Sequence, residues 1–188
     1  MPRPTPSEHG GGADGLLVHV VCTANVCRSA YCDVRSDALW QDTSLRLTSS
    51  GLAAEPGRPM DTTMAREAAR RQPTVRRLHA TLTSSEVLAP ADLVLTMTTD
   101  HRDRLVVDWP QALTRTFTLA QFLAVAELLR AEDPGLRARD LVAEAFPSRT
   151  LAGRTPDVAD PYRRGPRRAR ECADLLDDAL TRLAGLLG

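Results

Sequence analysis

The stretch Leu16–Ser29 places the tightest constraint on what this chain can fold into. Leu16 to Val21 (LLVHVV) is a short, mostly apolar run rich in valine with glycine upstream, and it reads as a buried parallel strand. Cys22 to Arg28 follows as a polar loop. Ser29 then stands where a helix N-cap belongs, ahead of Ala30, Val34, Ala38 and Leu39 at helical spacing. The same alternation continues along the chain. Leu45–Ser50, Asp92–Met97 and Arg115–Leu119 read as strands; Thr63–Arg71, Asp100–Val107, Ala120–Arg130, Arg139–Ala145 and Arg167–Leu187 read as helices, with Pro110 stopping the second. Strands alternating with helices predict an α/β fold: three layers, about four parallel strands, helices on both faces. Residues 1–14 read as a flexible leader and 15–188 as one domain. Within it, 120–158 is the least regular part and is expected to be an insert.

Composition narrows the class. A chain of 188 residues holds one ordinary domain. Net charge is zero, which argues against nucleic acid as a partner, and no apolar run approaches the ~20 residues that span a bilayer. The N-terminus has no apolar signal core, so the cytoplasm is the expected compartment and no disulfide framework is expected. Cys22, Cys27 and Cys32 are spaced C-x4-C-x4-C, without the C-x2-C pairs or histidine partners of zinc sites, so neither metal nor cofactor is expected. All the cationic side chains are arginine, since lysine is missing altogether, and the basic run Arg163–Arg170 reads first as a solvated face. His79 and His101 read as surface or loop residues, and Cys32 and Cys172 as core. Asn25 is the only asparagine.

The chemistry lies in Cys22-Thr23-Ala24-Asn25-Val26-Cys27-Arg28-Ser29. The first turn of a helix leaves N–H groups without partners, and the helix dipole adds partial positive charge, so an anion binds there. A thiolate at Cys22 is stabilised by the same features. Arg28, six residues on, can curl back and offer a two-pronged donor to phosphate oxygens. Ser29 can give its hydroxyl to the Cys22 sulfur, and Asn25 tolerates left-handed backbone. A nucleophile inside an anion cradle suits attack on a phosphate monoester through a phosphocysteine.

Val21–Ser29 (VCTANVCRS) resembles the V-C-x-G-N-x-C-R-S signature of the low-molecular-weight protein tyrosine phosphatases, in its actinobacterial type. Asp160-Pro161-Tyr162 stands ahead of the last helix, where that family carries an Asp-Pro pair and an aromatic. Gly57–Asp61 and Ala91–Met97 resemble its G-x-P-x-D and aDlilxM segments. The resemblance implies Cys22 as nucleophile, Arg28 as phosphate and transition-state ligand, and Asp160 as general acid and then base. Thr23, Ala24, Asn25, Val26, Cys27 and Ser29 would complete the phosphate loop, and Tyr162 would line the pocket mouth. Cys27 would be a redox-protective partner for Cys22. The substrate would be a phosphorylated protein or a small phosphate ester; the oligomeric state stays open. The departures are specific. Ala24 replaces a glycine and so requires negative φ there. Ala30 replaces a proline, Ser50–Pro56 carries no aromatic, and Arg163 stands where many relatives have a second tyrosine. Val26 favours a tyrosine-type pocket over that of the related arginine phosphatases, which carry threonine. Protein arginine phosphatase, arsenate reduction coupled to an external thiol, and a non-catalytic phosphoprotein-binding module remain the alternatives.

Overall fold

A computed structural model describes residues 15–188; the expected leader lies outside them. The strands are β1 (Leu17–Cys22), β2 (Arg46–Gly51), β3 (Leu93–Thr96) and β4 (Thr116–Thr118). They form one parallel sheet in the order β2-β1-β3-β4. The helices are α1 (Arg28–Leu39), α2 (Thr62–Arg71), α3 (Ser85–Leu88), α4 (Thr99–Asp108), α5 (Leu119–Glu132), α6 (Ala138–Ala145) and α7 (Gly165–Leu187). The expected α/β class and its four parallel strands are the observed ones. Pro110 does more than stop α4: it opens a 3-10 turn over Pro110–Arg115. The four-residue α3 went unanticipated, being too short for any periodicity to show.

Side-chain alternation along β1 divides the molecule into layers. Val18, Val20 and Cys22 belong to a large core shared with residues of α1, α2, α5, α6 and α7. Val21 faces the other way, into a smaller cluster with Leu88, Val94 and Leu105. A strand buried on both faces reads as a nearly unbroken apolar run, which is why LLVHVV does not alternate. The 120–158 segment enters the main core through Phe122, Leu123, Val125, Ala126, Leu141, Val142 and Ala145. Across that core, α1 is tied to α7. Buried Arg35 donates from Nε and Nη2 to both carboxylate oxygens of Asp177, at 2.9 and 3.0 Å, and the Tyr31 hydroxyl donates to Oδ1 at 3.0 Å. Fork-to-fork pairing of this kind fixes orientation as well as distance.

His19 is the polar exception in β1. It is 1% exposed, with Nδ1 2.8 Å from Thr48 Oγ1 and Nε2 2.7 Å from Ser50 Oγ. Burial lowers its pKa from 6.5 to about 4. The unfolded chain therefore binds this proton more readily than the folded one, so the stability His19 gives is complete above pH 6.5 and is lost as pH falls toward about 4. Urea unfolding across that window should show stability declining with acid, and His19→Gln should flatten the decline. An identical pH slope in the variant would contradict the assignment.

Candidate active site

Five residues, Thr23 to Cys27, connect the end of β1 to the first turn of α1, and their backbone is turned inside out relative to an ordinary loop. The carbonyls point to neighbouring segments: Cys22 O accepts from Leu52 N at 3.0 Å, Thr23 O from Ala53 N at 2.8 Å and Val26 O from Asp61 N at 2.8 Å. The amides of Thr23 to Cys27 have no acceptor among the described residues. N–H groups left free in this way, next to a helix start, form a bowl for an anion.

Asn25 makes the turn that produces the bowl. Its φ is 52°, in the left-handed region that costs an L-residue roughly 1–2 kcal/mol. Three hydrogen bonds hold it there. Nδ2 donates to Ser29 Oγ at 3.0 Å and to Ser49 Oγ at 2.9 Å, and Oδ1 accepts from Thr81 N at 2.8 Å. At about 1 kcal/mol each, they outweigh the backbone cost. Ala24 is not among the positive-φ residues, so its methyl group fits where the signature has glycine. Gly51 packs against the loop from β2: a Cβ there would lie 2.6 Å from Asn25 N and 2.7 Å from Thr23 O.

Ser29 does not cap α1, contrary to expectation. The cap position is Cys27, without a side-chain bond, and Ser29 lies inside the first turn. Its hydroxyl serves the sulfur instead. Ser29 Oγ is 3.0 Å from Cys22 Sγ, accepts from Asn25 and lies 3.2 Å from the Ser50 carbonyl. With a thiol at Cys22 its proton can go to Ser50 O; with a thiolate it can turn to the sulfur. Behind Asn25 the chain of contacts runs outward: Ser49 Oγ donates to Asp33 Oδ2 at 2.5 Å, and Arg76 pairs with Asp33. Burial raises the Asp33 pKa while Ser49 and Arg76 oppose it.

A cavity of about 210 Å³ lies over the loop. Cys22, Thr23, Ala24, Val26, Cys27 and Arg28 line its floor and walls, and Arg58, Asp160 and Tyr162 complete it. Asn25 and Ser29 do not line it; they support it from behind. Arg28 is 4% exposed, donates from Nη1 to Val158 O at 3.0 Å, and leaves its buried Nε without a partner. Its Nη2 is 3.3 Å from Asp160 Oδ2, on a carboxylate whose side chain is 50% exposed. A buried guanidinium with an unsatisfied N–H, a thiol and a solvent-reachable carboxyl thus share one small cavity. That set can bind an oxyanion, attack it and exchange protons with water.

Two neighbours were misjudged or missed from the sequence. His101 is buried, where a surface or loop position was expected. As the third residue of α4 it points at the loop, with Nε2 2.9 Å from Thr23 Oγ1. Burial, then the Arg28 charge, lowers its pKa to about 4. Arg58, the variable position of Gly57-Arg58-Pro59, reaches the cavity and gives Nη2 to the Tyr162 hydroxyl at 2.7 Å. The four cysteines are free and buried. Burial first, and the Asp61 and Asp160 charges next, push the Cys27 thiol up; burial pushes Cys172 up to about 12. Among the described residues no group of three or more His, Cys, Asp or Glu side chains is placed to hold a metal ion.

The sequence model of the low molecular weight phosphotyrosine protein phosphatases matches residues 17–148, a span that includes Cys22 and Arg28 and ends before Asp160. No curated protein matches the chain. Among solved structures, a YwlE mutant from Bacillus subtilis is similar at 19% identity and a TM-score of 0.71, covering 90% of this chain and 97% of that one. A low molecular weight protein tyrosine phosphatase from T. tengcongensis is 24% identical with a TM-score of 0.70, covering 92% and 99%. The tyrosine phosphatase Wzb from Escherichia coli K30, in complex with sulphate, is 20% identical with a TM-score of 0.68, covering 92% and 98%.

Gly51→Ala should displace the Thr23–Asn25 backbone and open the bowl. Inhibition of aryl phosphate turnover by inorganic phosphate should weaken by about tenfold or more while the circular dichroism of the sheet and helices stays. An unchanged inhibition constant would show that the loop does not need this close approach.

Proposed function

The chain belongs to the low molecular weight phosphotyrosine protein phosphatase family, and on that premise we propose that Cys22, Arg28 and Asp160 carry its cysteine-dependent phosphatase chemistry, acting on phosphotyrosine in proteins. The observation that supports this most is the convergence of Cys22 Sγ, the Arg28 guanidinium and the Asp160 carboxyl on one cavity above an amide bowl. The Cys22 thiolate attacks phosphorus as the ester P–O bond breaks. The protonated Asp160 gives its proton to the departing oxygen, and the phosphoryl group is left on sulfur. The bowl amides and Arg28 hold the three equatorial oxygens, where charge spreads in the transition state. Water then attacks phosphorus, Asp160 takes its proton, and the P–S bond breaks to return the thiolate and free phosphate. Ser29, 3.0 Å from the sulfur, donates to that departing thiolate.

Val26, whose side chain is hydrocarbon alone, lines the cavity, which suits the face of a tyrosyl ring. The YwlE arginine phosphatase of Geobacillus stearothermophilus shares the fold to a similar degree, so arginine phosphate is the second reading on this scaffold. Cys27 faces the same cavity as Cys22 and is the proposed partner in a protective disulfide. Tyr162 forms the cavity's outer wall.

Phosphotyrosine peptide, phosphoarginine and arsenate should be offered side by side with a chelator present. Turnover of the phosphotyrosine peptide is expected to be the fastest; faster phosphoarginine or thiol-dependent arsenate turnover would replace this reading. Cys22→Ser should abolish turnover while sparing oxyanion binding. Asp160→Ala should slow turnover by about 10²–10⁴-fold, most for substrates with poor leaving groups. A loss that ignores leaving-group pKa would remove Asp160 from the acid role.

A further inference from the structure

The outer end of the cavity carries positive charge that the proposed reaction does not use. Arg58 lines the cavity and is only partly exposed. Its one side-chain hydrogen bond goes to the Tyr162 hydroxyl, and its guanidinium carbon lies 5.6 Å from the Tyr162 ring centroid. Arg163 approaches the same ring at 5.1 Å. Neither forms an ion pair among the described residues, a state they share with Arg164 and Arg170; what sets them apart is that both lie against the Tyr162 ring. Arg28 faces Asp160, Arg167 and Arg168 face Glu171, and of the two carboxylates three residues from Arg58, Asp61 accepts amides of the first turn of α2 while Glu55 is exposed and pairs with neither guanidinium.

Arg163 is also held at a cost. Its φ is 57°, and with Asn25 it is one of two non-glycine residues in the left-handed region among those described. A long side chain there loses roughly 1–2 kcal/mol of backbone energy. Such conformations gather at ligand-binding loops, where the surrounding structure enforces them. Here the result is two guanidinium groups, from separate loops, fixed against one aromatic ring. Each guanidinium has five N–H donors, and Arg58 gives one to Tyr162, so most of its donors remain for a ligand. A guanidinium held beside an aromatic ring by cation–π attraction loses little freedom when it binds, and its remaining N–H donors are available to a carboxylate.

We propose that Arg58 and Arg163, braced on Tyr162, form a second anion subsite that takes a carboxylate side chain beside the phosphorylated residue, so that the preferred substrates are acidic phosphopeptides. The inference rests on the phosphatase reading above and adds to it the class of flanking sequence. Reading the basic run as a solvated face does not account for Arg58, which lies outside that run and inside the cavity.

The test is a ratio, so a general loss of activity cancels. Two phosphotyrosine peptides, identical except for Glu or Gln at the positions flanking the phosphotyrosine, are turned over by the wild-type protein at low salt. The Glu peptide should be preferred by about fivefold or more in kcat/KM, carried by KM, and the preference should shrink at high salt. Arg58→Gln combined with Arg163→Gln should bring the ratio to about one, whereas Arg58→Lys, which keeps the charge, should retain most of it. A wild-type ratio near one, or the same ratio in the double variant, overturns the subsite. If neither phosphotyrosine peptide is turned over and phosphoarginine is, the parent substrate reading fails alone. The same Glu/Gln ratio, taken on phosphoarginine peptides, then decides the subsite by the same criteria.

Discussion

The left-handed turn at Asn25 is the constraint on which the site depends. It is the point at which the loop after β1 stops pairing like a strand and presents its amides inward. The carbonyls on either side are held by Leu52, Ala53 and Asp61, so the loop cannot relax without breaking three bonds to two other segments. Asn25 itself is fixed through both ends of its amide, and the Nδ2 that pins the loop also positions the Ser29 hydroxyl next to the Cys22 sulfur. Backbone shape and the surroundings of the Cys22 thiol are thereby set by one side chain.

Support for that side chain extends to the protein surface. Ser49 receives from Asn25 and gives to Asp33, and Asp33 is held by Arg76, itself partly exposed and also bonded to Asp37. A buried carboxylate without such partners would cost several kcal/mol, so this line of contacts stands or falls together. On the other side of the loop, His101 meets Thr23, and Gly51 lets β2 come within backbone contact of Asn25. Preorganisation of this kind is what lets an amide bowl stabilise charge without first having to reorganise.

Much of this was legible in the sequence. The strand–loop–helix alternation gave the sheet, because doubly buried strands show as unbroken apolar runs. The loop was legible because cysteine, arginine and serine at that spacing, ahead of a helix, make little sense except around an anion. The single asparagine in a composition that avoids the residue pointed at the left-handed turn. The illegible parts share a cause: each depends on contacts distant in sequence. Ser29 resembles a cap by position, yet its hydroxyl is drawn to the sulfur and to the Ser50 carbonyl of β2, and the cap falls two residues earlier, at Cys27. His101 reads as polar and exposed until the loop supplies Thr23 as its partner 78 residues away. Arg58 and Tyr162 meet across 104 residues. Gly51 follows the expected strand Leu45–Ser50 without any signal of its own, and only the approach of the Asn25 backbone shows why a side chain is excluded there.

The central claim is that phosphate passes through the Cys22 sulfur. The direct measurement is to mix the Asp160→Ala variant with an aryl phosphate, quench within the first turnover and map the trapped phosphate by mass spectrometry. The account predicts one phosphoryl group per chain, on the peptide containing Cys22 and on that sulfur. Phosphate on any other side chain, or release of phosphate with no phosphorylated intermediate formed at Cys22, would contradict it.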